Sequence, residues 1–371
     1  MFESQNGGSL FAGPRLLDRG VSRRSLLKYV GLGTAALGSA SLLTACGGSA
    51  EGSGGLTKFE IGSFPGDAFF LDTVNLANKD YANHGLDVPK HLTPQSGVQS
   101  FQLMVAGALD GLAADTMLLM ATHANSSKGK RPVLVGFRTA ETSYGIVGRK
   151  GISWPGPDAS FEEKMASLKG KKVGVTSVGS GSDLQLKLAL ELAGMKYSDV
   201  TTLAIGTTAQ AIPNVKKERV DAYVTVQWTS TRYVAKETGG QILLDFAEPN
   251  VPETMRNQAV LAIAVREEMA QEQPDLVKQW LDTQEDANQW VQKNKKEAAD
   301  LLNTSALGGK APEIAQAYIE HYTTVMAPKL QPMFKAKKET VEHMATLAER
   351  FGSIKKGAIT FETLVPEFAR A

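Results

Sequence analysis

The residues of this chain best equipped to hold or transform a small molecule fall in short loops. Ser63-Phe64-Pro65-Gly66-Asp67-Ala68-Phe69, Thr93-Pro94-Gln95-Ser96, Ala114-Asp115-Thr116, Thr142-Ser143-Tyr144, Ser177-Val178-Gly179-Ser180-Gly181-Ser182 and Gln227-Trp228-Thr229 bring together hydroxyls, carboxylates, amides and aromatic rings. Most of them stand between an apolar, strand-like run and a helix-like one. In an open α/β sheet that junction is where ligands bind, because the first amides of each helix lack intrahelical partners and carry partial positive charge. The candidate ligand contacts are therefore Phe64, Asp67, Phe69, Gln95, Ser96, Asp115, Thr116, Tyr144, Ser177, Gly179, Ser180, Gly181, Ser182, Gln227 and Trp228. Each has a plainer use. Ser180, Ser182 or Asp115 would cap a helix, at about 1 kcal/mol each. Phe64 and Phe69 would pack as lid or core, and Tyr144 would hold a linking strand.

Catalytic chemistry finds little support in the spacing. VTSVGSGSD (175–183) lacks the Lys-Ser/Thr of a phosphate-binding loop and the full dinucleotide fingerprint. The five histidines, His84, His91, His123, His321 and His343, show no H-x-H or H-x-x-x-H pattern, and no G-x-S-x-G elbow occurs. The single cysteine, Cys46, excludes a disulfide framework or a thiolate metal site. No cofactor or metal is expected, and the chain reads as a non-enzyme. The candidate loops carry Asp67 and Asp115, with Glu141 and Asp183 nearby, but no Lys or Arg. Such loops suit a neutral, amine-bearing or zwitterionic organic solute, or a planar heterocycle, better than a bare inorganic anion.

The N-terminal region reads as an address. Arg23-Arg24, followed by Leu26, Leu27 and Lys28, resembles the twin-arginine export signal. The weakly apolar, Gly/Ala/Ser-rich run from Tyr29 to Thr44 is too short and too small-residue-rich to span a membrane. It ends in Leu43-Thr44-Ala45-Cys46, which resembles a bacterial lipobox. Residues 1–45 are thus expected to be a signal peptide. Residues 46–57, GGSAEGSGGLT after the acylated Cys46, are expected to be a flexible tether. The protein is expected outside the cytoplasm, lipid-anchored to the bacterial cell membrane. The whole chain has 40 Lys/Arg and 39 Asp/Glu, and the portion beyond Cys46 is slightly acidic. That balance disfavours nucleic acid and a polybasic membrane-docking face.

Strands and helices alternate beyond the tether. The pattern predicts strands at 58–62, 86–92, 112–114 and 132–137, with helices at 69–83, 98–106 and 116–125. A second cycle predicts strands at 172–177, 200–204, 222–226 and 241–245, with helices at 183–193, 209–217 and 231–237. An apolar strand at 258–265 comes next, then helices at 274–293, 295–303, 312–323 and 336–350. Alternation of this kind predicts an α/β fold with mainly parallel sheets covered on both faces.

The order of several segments carries a resemblance. LKGKKVGVTSVGSGSDLQLKLALELAG (168–194) and TTAQAIPNVKKERVDAYVTVQW (207–228) resemble the second lobe of the nitrate/sulfonate/taurine and thiamine-pyrimidine-precursor branch of ABC-importer binding proteins. AGALDGLAAD (106–115) is similar to a first-lobe segment, and residues 271–302 to the family's C-terminal helices. The resemblance implies a two-lobed type II periplasmic-binding-protein fold that closes on a ligand between its lobes. Lobe 1 would comprise 58–140, lobe 2 would comprise 141–250, and 251–371 would return to lobe 1 and add the C-terminal helices. It also implies a monomer that takes a small-molecule ligand and partners an ABC permease and its ATPase. Alternatives of the same fold are a pyrimidine- or menaquinone-pathway enzyme and a tethered sensing lipoprotein. The family usually has an aromatic where this chain has Val226, and a proline where Trp228 stands.

Overall fold

The alternating runs fold into two mixed β-sheets wrapped by helices. A computed structural model describes residues 55–371 except Gln331 and Ser353; Arg23, Arg24, Cys46 and most of the tether lie outside the described residues. The strands are β1 (Thr57–Lys58), β2 (Ile61–Gly62), β3 (Leu86–Asp87), β4 (Gly111–Asp115), β5 (Pro132–Phe137) and β6 (Gly145–Gly148). They continue with β7 (Lys172–Val175), β8 (Thr201–Ala204), β9 (Ala222–Thr225), β10 (Gln241–Asp245) and β11 (Leu261–Arg266).

One sheet has the order β2-β4-β11-β5 and the other β10-β6-β9-β7-β8, while β1 and β3 form a separate parallel pair. Strands joined through a helix pair in parallel: β2 with β4, and β7 with β8 and β9. The exceptions have one cause. The chain leaves the first sheet after β5 to form β6, and leaves the second after β10 to form β11. Entering from the other sheet, β6 runs antiparallel to β9 and β10, and β11 antiparallel to β4 and β5. Both sheets are therefore mixed, and two crossovers, 138–144 and 246–260, join them.

Local chemistry adjusts several boundaries. The strand expected at 58–62 is split, because its ends pair with different partners, β3 and β4. The helix expected at 69–83 breaks at Lys79, which takes the left-handed conformation at φ 64° and ends Phe70–Asn78. Helix Trp228–Thr238 starts three residues earlier than its apolar pattern suggested. An additional helix, Phe161–Ala166, is opened by a Ser160/Glu163 capping box.

The core of the first sheet explains one glycine. Trp280, on helix Pro274–Lys293, is fully buried with its ring centroid 5.3 Å from that of Phe59. A Cβ at Gly111 would lie 2.7 Å from the indole, so β4 approaches this helix only with glycine there. That contact fixes the strand whose far end is Asp115.

Candidate functional site

The carboxyl ends of β2, β4, β7, β8 and β9 and the start of β6 converge on a cavity of about 160 Å³. This is small beside the roughly 300–1,000 Å³ usual for drug-sized ligands. Of the candidate contacts, Phe64, Phe69, Ser96, Asp115, Tyr144, Ser180, Gly181, Ser182 and Gln227 line it together. Among the described residues, no Lys, Arg or His lines this cavity.

Among the described residues, Asp115 is the one carboxylate of the lining. It ends β4 and caps helix Thr116–Asn125, with Oδ1 accepting from the Leu118 amide at 3.0 Å. Oδ2 accepts from the Tyr144 hydroxyl, also at 3.0 Å. Burial pushes its carboxyl up to about 6, although these hydrogen bonds pull the other way. Burial, and then the neighbouring Asp115, raise the Tyr144 phenol. Both side chains lie against the first residue of helix Gly181–Leu192. A Cβ on Gly181 would fall 2.2 Å from the Tyr144 hydroxyl and 2.6 Å from Asp115 Cβ, so only glycine permits this approach. Ser180 stands at the N-cap of that helix without making a side-chain cap bond. Its hydroxyl instead ties the loop together, accepting from Thr176 Oγ1 at 2.7 Å and donating to the Ser177 carbonyl at 2.6 Å. Ser182 accepts from the Thr176 amide at 3.0 Å. The loop is thus held by its own hydroxyls, rather than by the expected cap.

A second junction brings the β2 and β9 loops together. Asp67 is 5% exposed, and its Oδ1 accepts from the amide of Thr229 at 3.1 Å and from the Thr229 hydroxyl. A carboxylate from one sheet's loop thereby satisfies the N-terminus of helix Trp228–Thr238 on the other. Burial raises the Asp67 carboxyl, with the Thr229 hydrogen bonds opposing that shift. Beside it, Gln227 Nε2 donates to the Pro65 carbonyl at 3.3 Å, while Gln227 Oε1 is buried without a partner. That amide lies over Gly66, whose φ of 134° and ψ of 174° belong to a region essentially reserved for glycine.

The other candidates lie outside the cavity lining. Trp228 stacks on His321 (ring centroids 5.7 Å apart, 13° between planes), with the Arg232 guanidinium 3.4 Å from its centroid. It packs against helix Pro312–His321 rather than facing the cavity. Thr116 Oγ1 donates to the Ala259 carbonyl at 2.5 Å and anchors the returning crossover. Gln95 is exposed, and its amide donates to Gln99 Oε1. The amide of Gly179 donates to Asp183 Oδ2, and Ser177 is half-buried in the same loop.

Thr207, Thr208, Ser230, Tyr233 and Leu307 also line the cavity without having been singled out from the sequence. The first two had a readable signal. Thr207 and Gln210 form a capping box, whose T-x-x-Q spacing marks the loop after β8 as one more helix entrance. Leu307 follows helix Lys295–Ala306 and reaches the cavity only through tertiary packing.

Comparisons with known proteins place this geometry in context. A profile of the NMT1-like family matches residues 71–304. A curated binding protein of Brucella abortus (strain 2308) is 25% identical over 243 residues, covering 62% of this chain and 69% of the relative. Among solved structures, the alkanesulfonate-binding protein SsuA of Xanthomonas axonopodis pv. citri, bound to MOPS, superposes with a TM-score of 0.64 at 14% identity. That match covers 83% of this chain and 97% of the other. The nitrate-binding protein NrtA of Synechocystis PCC 6803 gives a TM-score of 0.53 at 19% identity, over 67% of this chain and 66% of the other. These likenesses establish the periplasmic-binding-protein fold.

Proposed function

The chain belongs to the NMT1-like family, and from that membership we propose that it is the extracytoplasmic solute-binding component of an ABC importer. It captures a small organic solute, of the sulfonate or taurine-like zwitterionic or pyrimidine-type heterocyclic kind, and delivers it to the permease. Inorganic anions suit the site less well. The observation that carries this reading is the cavity between the two sheets, lined from both by strand-end loops. Residues 58–140 and 251–371 form one lobe and 141–250 the other, hinged at the two crossovers and closing on the solute as a monomer. Binding without turnover is supported by the naming of the relatives as binding proteins.

A thermal-shift screen of sulfonates, taurine, nitrate, pyrimidines and aromatic acids tests this function. A true solute at a hundredfold excess over its Kd should stabilise the folded protein by about 2.7 kcal/mol. A flat response across all classes would reject the reading. We further propose that Arg23 and Arg24 direct twin-arginine export and that Cys46 carries the lipid. Replacing both arginines by lysine should leave precursor in the cytoplasm. Cys46→Ala should abolish incorporation of labelled fatty acid, and undiminished labelling of that variant would refute the anchor.

A further inference from the structure

Resting on the reading that this cavity holds the transported solute, we infer that the solute carries a nitrogen cation, an ammonium or amidinium, that donates to Asp115, and a further donor for Gln227 Oε1. Three independent features of the cavity point the same way.

Its ionic character comes first. Among the described residues, Asp115 is the only carboxylate in the lining, and no basic side chain accompanies it there. Oδ1 accepts from the Leu118 amide and Oδ2 from the Tyr144 hydroxyl, and a carboxylate has lone pairs for further donors. The burial that raises its carboxyl is the penalty a bound cation would relieve.

The second feature is an unmatched acceptor. Gln227 is 3% exposed and lines the cavity, and its Oε1, packed against Gly66 at the cavity wall, has no partner. Its orientation is fixed, because flipping the amide would set an oxygen against the Pro65 carbonyl, which now accepts from Nε2. A buried acceptor left open calls for a donor.

The third concerns two of the helix N-termini beside the cavity, where an anion could otherwise sit. The N-terminus of helix Trp228–Thr238 already holds the Asp67 carboxylate through Thr229. The first residue of helix Gly181–Leu192 lies against Asp115. An anionic group at either place would face a carboxylate of the protein. The rest of the wall, including Phe64, Phe69, Leu118, Val226, Leu261 and Leu307, suits the carbon skeleton of an organic cation.

Two experiments test the inference. The purified protein is incubated with a metabolite extract, washed and heat-denatured, and the released solute is identified by mass spectrometry. A solute with a basic nitrogen is expected. A retained solute lacking one would overturn the inference while leaving solute binding intact, and retention of nothing from any charge class would overturn both. In isothermal titration, benzylamine should bind at least about tenfold more tightly than benzyl alcohol, benzoate or benzenesulfonate, the equivalent of about 1.4 kcal/mol. Asp115→Asn should weaken benzylamine by about thirtyfold or more and leave benzyl alcohol within about threefold. Benzylamine affinity for the unaltered protein should also rise from pH 5 to pH 7 as the carboxylate ionises. Tighter binding of benzoate, or an unchanged benzylamine affinity in Asp115→Asn, would overturn the assignment.

Discussion

Asp72→Ala should destabilise the protein by about 3–5 kcal/mol, the usual cost of removing one member of a buried ion pair. Asp72 lies on helix Phe70–Asn78, and Arg138 follows β5 at the point where the first crossover begins. The two meet through paired hydrogen bonds, Nη1 to Oδ2 at 2.8 Å and Nη2 to Oδ1 at 2.5 Å. Ser63 adds a bond to Oδ2 at 2.9 Å, and Gln284 accepts from Nη2 at 2.6 Å. Burial alone would raise the Asp72 carboxyl, but the Arg138 charge and hydrogen bonds, with smaller help from His91 and Ser63, together outweigh it and hold the group below its ordinary value. Removal of the carboxylate leaves a guanidinium whose side chain is only 2% exposed without its counter-charge. The double variant Asp72→Leu/Arg138→Met should lose much less than the two single changes added together. Guanidinium denaturation measures all three. A loss below about 1 kcal/mol for Asp72→Ala would mean that water reaches Arg138 and compensates it.

Asp115→Asn should have the opposite sign. The folded-state pKa of about 6 lies above the roughly 3.9 of an unfolded aspartate. Between those values the native state binds more protons than the unfolded state. The group's contribution to stability is therefore full below about pH 4 and is lost as the pH rises through 6. The gap of about two pH decades corresponds to about 3 kcal/mol, an order-of-magnitude figure for a buried group. Asparagine has no such titration, and it caps helices as well as aspartate does. The ligand-free variant should consequently be more stable than the unaltered protein at pH 7.5, with the advantage shrinking towards pH 4. Denaturation curves across this range decide the matter; a difference independent of pH would show that Asp115 does not titrate in that window.

These two carboxylates also show what the sequence can reveal. Asp115 was visible as the residue between an apolar strand and a helix, where it now caps Thr116–Asn125. Asp72 sits inside a predicted helix, and its partner lies 66 residues away, so no local pattern marked it as buried. The same division holds for the fold. Strands and helices with strong periodicity were legible, as were parallel pairings between consecutive β/α units. The antiparallel entry of β6 and β11 was not, because pairs such as Gly145 with Thr225 and Leu261 with Asp115 depend on elements remote in sequence. Helix Phe161–Ala166 had a signal in the S-x-x-E spacing of Ser160 and Glu163. The loops were legible as loops, whereas the destination of each side chain depended on tertiary partners. Trp228 follows Gln227 directly, yet Arg232 one turn later and His321 from another helix both stack on its ring, outside the cavity lining.

The bond between Asp67 and Thr229 has a kinetic consequence. It is made between the loop after β2 in one sheet and the loop after β9 in the other, and both its partners are side chains or amides of the protein itself. In the closing motion proposed above, this bond would favour the closed arrangement independently of the solute. Apparent affinity is reduced only in proportion to the fraction of molecules outside the binding-competent form, so a self-closing protein holds its cargo at close to the intrinsic strength. Entry, however, must wait for the Thr229–Asp67 bond to open, which lowers the association rate below that of an open cleft. Slow capture and slow escape then share one origin in this bond.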